Sequence, residues 1–278
     1  MPKMLLLGHD LAHSLSPMLY KAAWDAAGID WTYEVRDVAT EEEALAVITD
    51  EDWAAINVTT PYKSLALEAC TKAETNAQAA GGVNLLVRSD EGILGFNTDG
   101  TGCTAFLARN GLYPQKLNVA VCGTGPTARA IVYALSCAGV QRVAIFSRDK
   151  DRAIKAAQST CGGVFAQTYE DGEPFIVTAD LIIDATTLGM HEGDPAPFDA
   201  KLLGASQAVL DVVYGHGETA LIKAVKEKGC RTFDGTGMLL LQAAVSLQTV
   251  FTVRKDEVEL PFATSYKAMT EALAAHVG

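Results

Sequence analysis

At Gly123-Thr124-Gly125-Pro126-Thr127-Ala128 an apolar, β-branched run over residues 117–121 gives way to a helical pattern over residues 127–137. A strand that turns through glycine into a helix constrains a chain more tightly than any compositional feature. The first glycine permits the tight turn, the second lets backbone N–H groups approach an anion, and a small third residue lets helix and strand pack closely. A further strand over residues 142–146 completes a strand–helix–strand unit. This context predicts a dinucleotide-binding domain with the pyrophosphate at the helix N-terminus, where peptide dipoles place about half a unit of positive charge. Pro126, at an early helical position, is compatible with a helix start but removes one N–H from the cradle.

After the second strand, an acidic side chain commonly takes a ribose 2′-hydroxyl, whereas arginine accommodates a 2′-phosphate. Residues 147–155 carry four basic and two acidic side chains, locally +2 in a protein of net charge −12. Arg148 and Arg152 lie four apart and can share one helix face as a planar clamp, next to Ser147. Asp149 opposes them, since a carboxylate there repels a 2′-phosphate. The balance favours NADP, with NAD as the alternative.

Around this unit the chain reads as alternating strands and helices, the signature of an α/β protein with largely parallel sheets. Strands are predicted at residues 4–7, 31–35, 54–58, 83–88, 92–96, 181–184 and 208–213, and helices at 17–28, 41–48, 63–70, 72–79, 150–159 and 262–275. Residues 89–91 are the expected hairpin turn, a further helix runs to about Arg109, and Glu259-Leu260-Pro261 breaks a helical tail that starts at Gly237. Two lobes follow: residues 1–102 with 237–278, and residues 103–236, the latter a doubly wound Rossmann-type domain.

Composition narrows the function classes. With 22 Lys+Arg against 34 Asp+Glu, the surface argues against nucleic acid as a partner. The six cysteines are scattered without a C-x-x-C pair, and the N-terminal apolar run is too short for a signal peptide, so a reducing, cytoplasmic setting is expected. No stretch approaches the roughly 20 apolar residues of a membrane span. The five histidines form no ligand spacing with one another or with cysteine, so no metal site is expected.

Four polar clusters stand at predicted strand ends: Ser14-Leu15-Ser16-Pro17, Asn57-Val58-Thr59-Thr60-Pro61-Tyr62-Lys63, Gly81-Gly82-Val83-Asn84 and Asn97-Thr98-Asp99-Gly100. Ligands of open α/β sheets bind beyond the carboxyl ends of the strands. Hydroxyls, amides, one ammonium and one carboxylate suit a small polyhydroxylated carboxylic acid. Each cluster also has a plainer reading: Ser16 as a helix cap, Asp99 as an N-cap, Lys63 as a solvated lysine.

Together with Ala185-Thr186-Thr187-x-Gly189-Met190, Asp211-x-x-Tyr214 and Gly237-Met238-Leu239-x-x-Gln242-Ala243, these clusters resemble the ordered motif series of shikimate dehydrogenases over nearly the whole chain. The resemblance implies a substrate lobe and a Rossmann lobe with a cleft between them. It also implies reversible NADPH-dependent reduction of 3-dehydroshikimate to shikimate, a step of chorismate and aromatic amino-acid biosynthesis. Carried over by motif, Lys63 and Asp99 would be the catalytic pair. Ser14 and Ser16 would hold the substrate carboxylate with Tyr214 nearby, and Thr59, Asn84, Asp99 and Gln242 would bind ring hydroxyls or orient the ring. Val212 and Gly235 would lie along the nicotinamide. A monomer or homodimer is expected.

The chain departs from the family pattern at Tyr20-Lys21, Leu85, Ser147, Asp149 and residues 215–220. These departures bear on substrate scope and cofactor choice. They keep open a quinate/shikimate dehydrogenase preferring NAD; a non-catalytic shikimate-binding sensor is a reading of a different class, against which the intact Lys63 and Asp99 speak. A folate-type methylene dehydrogenase fits the serine pair poorly.

Overall fold

Buried strands alternate with helices from residue 3 onward in the computed structural model, which describes residues 1–50, 52–255 and 260–277. The first stretch comprises β1 (Lys3–Gly8), α1 (Ser16–Ala27), β2 (Thr32–Asp37), α2 (Glu41–Asp50), β3 (Ala55–Val58), α3 (Lys63–Ala69), β4 (Lys72–Ala73), α4 (Thr75–Ala80), β5 (Leu85–Ser89), β6 (Gly92–Phe96) and α5 (Asp99–Arg109). There follow β7 (Asn118–Cys122), α6 (Pro126–Cys137), β8 (Arg142–Ser147), α7 (Lys150–Thr160), β9 (Val164–Thr168), α8 (Glu173–Thr178), β10 (Leu181–Asp184), β11 (Ala208–Asp211), α9 (Ala220–Lys226) and β12 (Arg231–Phe233). The chain ends with α10 (Thr236–Arg254) and α11 (Phe262–Val277). Glu259 of the expected helix break lies outside the described residues.

Two compact units result, Met1–Gly102 with Leu240–Gly278, and Cys103–Leu239. The division falls inside α10, three residues beyond the expected 236/237, because Met238 packs with Cys103, Leu107 and Ile131 in the core of the second unit.

In the first unit the strand order is β2-β1-β3-β5-β6-β4. The β1–β2, β1–β3 and β4–β6 pairs are parallel, and β3–β5 and β5–β6 antiparallel. Helix α1 buries Ser16, Leu19, Tyr20, Ala23 and Trp24, a spacing that keeps one face inward, and Gly28 ends the helix in the left-handed conformation at φ 65°. Leu5, Leu7, Val47, Ile48, Trp53, Ile56 and Val58 form the core on one side of the sheet.

Residues 72–79, expected as one helix, are divided. Thr71 and Glu74 donate their N–H groups to the carbonyls of Ile93 and Gly95, drawing Lys72-Ala73 onto the sheet edge before α4 begins. Edge pairing overrides local propensity there.

The second unit carries an all-parallel sheet, β12-β11-β10-β7-β8-β9. The order runs outward from β7 to β9 and then restarts beside β7 with β10, so the direction of winding reverses between β7 and β10. This is the doubly wound Rossmann arrangement, and its switch point opens at the carboxyl ends of those strands. Val119 and Val121 join one hydrophobic cluster with α6 and α7, while Ala120 and Cys122 join another with α8 and α9. Both faces are covered, which is why these strands read as continuous apolar runs. The elements β9, α8, α9 and β12 escape the sequence reading: two are edge strands and two are single short helices, all fixed by tertiary pairing.

Helix α10 corrects the expectation that no stretch approaches a membrane span, for it is long and apolar enough by length and composition. Gln242, Ser246, Gln248 and Thr249 interrupt its apolar sequence, which hid it from inspection. Leu241, Ala243, Ala244, Leu247 and Val250 are fully or almost fully buried, so it serves as a core helix.

Gly102 brings α5 against α10: a Cβ there would stand 2.7 Å from Gln242 Cβ and 2.8 Å from Gln242 N. Backbone cannot yield as a flexible side chain does. Gly102→Val is expected to destabilise the fold by about 1–3 kcal/mol, read as a lower urea midpoint at unchanged slope. An unchanged midpoint would contradict the close approach.

Candidate active site

Lys63, the first residue of α3, places its Nζ 2.5 Å from Asp99 Oδ2 at the start of α5. Their side chains are 12% and 7% exposed, so this is a nearly dry ion pair rather than a solvated lysine. Asn84 Nδ2 donates to Asp99 Oδ1 at 2.7 Å, leaving neither carboxylate oxygen without a donor. Asn84 is itself fixed, because its Oδ1 accepts the Thr98 N–H at 2.8 Å. Thr98 Oγ1 lies 2.9 Å from Ser246 Oγ and 3.3 Å from Gln242 Oε1, tying the turn before α5 to α10.

Asn97 completes the turn. Its Nδ2 donates to the Gly82 carbonyl at 2.8 Å, and its Oδ1 accepts the Asp99 N–H at 3.1 Å. Asn97 therefore serves the start of α5, and the Asp99 carboxylate is left to meet Lys63. Asp99 is the first residue of α5, and its carboxylate is engaged by Lys63 and Asn84. Ser16 is no cap, since Leu15 occupies that position without a side-chain bond, and Ser14 Oγ accepts the Ser16 N–H at 3.3 Å. Thr59 stands just beyond β3, its methyl against Gly8, where a Cβ would come within 2.5 Å. Tyr20 is buried and stacks on Tyr33 with centroids 4.6 Å apart, and Tyr33 donates its hydroxyl to Asn57 Oδ1 at 3.0 Å.

In the second unit the glycine turn leads from β7 into α6. Gly123 has φ 104°, a conformation glycine adopts without strain, and a Cβ would meet the Ala185 carbonyl at 2.9 Å. Gly125 is the N-cap of α6 and contributes no side chain, and a Cβ there would meet nothing within 4 Å. Gly125 thus gives α6 no side-chain cap at the switch point, and the space a Cβ would take there is open. That arrangement fits a pyrophosphate, even with Pro126 as the first helical residue. Buried Ala128 is the small third residue against the sheet.

Val212 and Gly235 touch: a Cβ on Gly235 would collide with the Val212 carbonyl oxygen at 2.0 Å. Tyr214 borders a cavity of about 570 Å³ with Phe106, Asp211, Glu218, Phe233 and Asp234. Ser147 Oγ accepts the Asp149 N–H at 3.1 Å, and Arg148 and Arg152 are exposed beside it.

Sequence reasoning missed two contributors. Ser246 lies one helical turn beyond Gln242, so the i, i+4 spacing on α10 could have signalled it. Asp184 ends β10 in register with Asp211 of β11 and with Cys122 of β7, and both carboxylates are buried. Burial, with Asp211 adding like charge, pushes the Asp184 carboxyl up to about 7, and burial also raises Asp211. Thr186 N–H to Asp184 Oδ1 at 3.0 Å, and Val213 N–H and Thr219 Oγ1 to Asp211 at 3.0 and 2.7 Å, anchor the loops after both strands.

A carboxyl raised from about 3.9 in the unfolded chain binds more protons when folded, so stability drops as pH climbs toward 7 and stays reduced above it. Asp184→Asn mimics the protonated form. Its gain in melting temperature over the parent should be larger at pH 8 than at pH 5, and a gap independent of pH would contradict the shift.

A parallel sheet in this order, with a glycine turn at its switch point, defines a Rossmann-type α/β protein. Residues 6–86 match the model of the shikimate dehydrogenase substrate binding domain, and residues 107–190 that of shikimate/quinate 5-dehydrogenase. The shikimate dehydrogenase (NADP(+)) of Moorella thermoacetica is 34% identical over 284 residues, covering 98% of this chain and 94% of that relative. Shikimate 5-dehydrogenase from Thermus thermophilus, solved in complex with NADP(H) and shikimate, is similar at a TM-score of 0.81 and 28% identity, covering 98% of this chain and 100% of that chain. Quinate dehydrogenase from Corynebacterium glutamicum, in complex with NAD, gives a TM-score of 0.79 at 27% identity, covering 97% and 99% respectively. The chain belongs to the shikimate dehydrogenase family.

Proposed function

We propose that this chain catalyses the reversible NADP-dependent interconversion of 3-dehydroshikimate and shikimate. The observation that carries this reading is the secluded Lys63–Asp99 pair, with Asn84 holding the second carboxylate oxygen. Family membership and the NADP- and shikimate-bound neighbour support the choice of acid and cofactor.

The first unit provides the acid–base and substrate groups. Ser14 and Ser16 offer hydroxyls for the substrate carboxylate. Thr59, Asn84, Asp99 and Gln242 take the ring hydroxyls. Gly123 to Thr127 receive the pyrophosphate, Ser147, Arg148 and Arg152 receive the adenosine ribose and its phosphate, and Val212 and Gly235 flank the nicotinamide. The bound nicotinamide supplies the hydride in one direction and accepts it in the other.

As hydride reaches the carbonyl carbon, charge develops on the oxygen. The Lys63 ammonium donates a proton to it and is reprotonated from solvent afterwards. In the reverse direction the neutral amine takes the hydroxyl proton. Asp99 orients the ammonium through the 2.5 Å contact and can accept a neighbouring substrate hydroxyl. Exclusion of water keeps the donor aimed at the reacting oxygen, and the proton step is worth about 10²–10⁴-fold in rate. A cytoplasmic setting suits this chemistry and the free thiols of all six cysteines.

Lys63→Ala should lower kcat by about 10²–10⁴-fold while the Kd for shikimate stays within about tenfold, measured by steady-state kinetics and calorimetry. Equal losses in both would contradict a proton-transfer role. Arg148→Ala should raise KM for NADP far more than for NAD, and an equal change in both would remove Arg148 from the 2′-phosphate subsite.

A further inference from the structure

The turn joining β8 to α7 contains two opposed instructions. Arg148 and Arg152 favour a 2′-phosphate, whereas Asp149 between them places a carboxylate in the same turn. The structure shows what that carboxylate does. Asp149 is the N-cap of α7, and its Oδ1 accepts the N–H groups of Asp151 at 2.9 Å and Arg152 at 3.1 Å. The donors with which the first turn of α7 would attract an anion are therefore already engaged by a fixed negative charge. Asp149 Oδ2 also lies 3.9 Å from Arg152 Nε, so it counters part of the charge the clamp would present. Helix α6 offers the contrast, since Gly125 caps it without a side chain.

We propose that Asp149 is a specificity-determining residue that narrows the discrimination between NADP and NAD. The inference rests on the reading that this strand end faces the adenosine ribose. A dianionic 2′-phosphate brought beside Asp149 meets like charge at a surface position, where repulsion is moderate and screened by salt. A ribose 2′-hydroxyl carries no charge and meets no such cost. Arg148 and Arg152 then carry NADP selection against an opposing charge that an amide or hydroxyl at this position would lack.

The test uses the full-length chain and two adenine nucleotides that occupy only this part of a dinucleotide site, 2′,5′-ADP and 5′-AMP, titrated calorimetrically at low and high salt. Asp149→Asn retains a capping oxygen of equal rank and removes the charge. It should tighten 2′,5′-ADP by about tenfold at low salt and leave 5′-AMP within about twofold, with the gain shrinking as salt rises. Asp149→Ser, a second residue able to cap, should reproduce the result and guards against a folding artefact in either variant. If both nucleotides tighten or weaken together, or neither changes, the charge of Asp149 does not set the preference and the proposal is overturned. If the folded parent chain binds neither nucleotide, the ribose-facing reading fails as well, an outcome distinct from the first.

Discussion

An ammonium and a carboxylate withdrawn from water are stable only when every oxygen and nitrogen they present is answered. Removing each ion from solvent costs several kcal/mol, and the 2.5 Å contact between Lys63 and Asp99 offsets this only because Asn84 satisfies the other oxygen. Asn84 depends in turn on the Thr98 N–H, and Thr98 on Ser246 of α10. Four segments of chain thus converge on one pair: the start of α3, the residue before β5, the turn into α5 and the middle of α10. The ion pair is weak evidence for stability in itself. What the geometry supplies is an ammonium held in a fixed position.

The second unit solves a different problem. Its sheet is parallel and buried on both faces, so its strand ends are the places where polar groups gather. Gly123 turns there with the Ala185 carbonyl too close for any side chain, and the loops beyond β10 and β11 hang from Asp184 and Asp211. Two buried carboxylates side by side resist ionising together, which ties the geometry of these loops to proton occupancy. Two of the helices that begin at this end illustrate how one fold can prepare or fill a helix N-terminus: α6 receives no side-chain cap from Gly125, and α7 commits its first-turn donors to Asp149.

Much of this was legible in the chain itself. The glycine turn identified its strand and helix through context, and β8 and α7 followed from periodicity. Gly28 at the end of α1 and the Asp90-Glu91 hairpin loop were visible because turns impose strict demands on residue type. Residues 36 apart do not announce that they will meet, and the order of family motifs rather than spacing put Lys63 with Asp99. What escaped was decided by partners distant in sequence. Lys72-Ala73 became a strand through the edge of β6, β9 and β12 took their form from neighbouring strands, and the apolar character of α10 was hidden by interspersed polar residues. The proximity of Asp184 to Asp211 exists only once β10 and β11 stand in register.

The proposed reaction needs the first unit's ion pair to transfer a proton while a nicotinamide transfers a hydride to or from shikimate. The most direct measurement is the absorbance of reduced nicotinamide when purified protein is mixed with shikimate and NADP, alongside calorimetric binding of shikimate to the same preparation. The account predicts saturable appearance of reduced cofactor. Shikimate binding with no reduced cofactor, from either NADP or NAD, would contradict it and make the protein a ligand-binding relative without turnover.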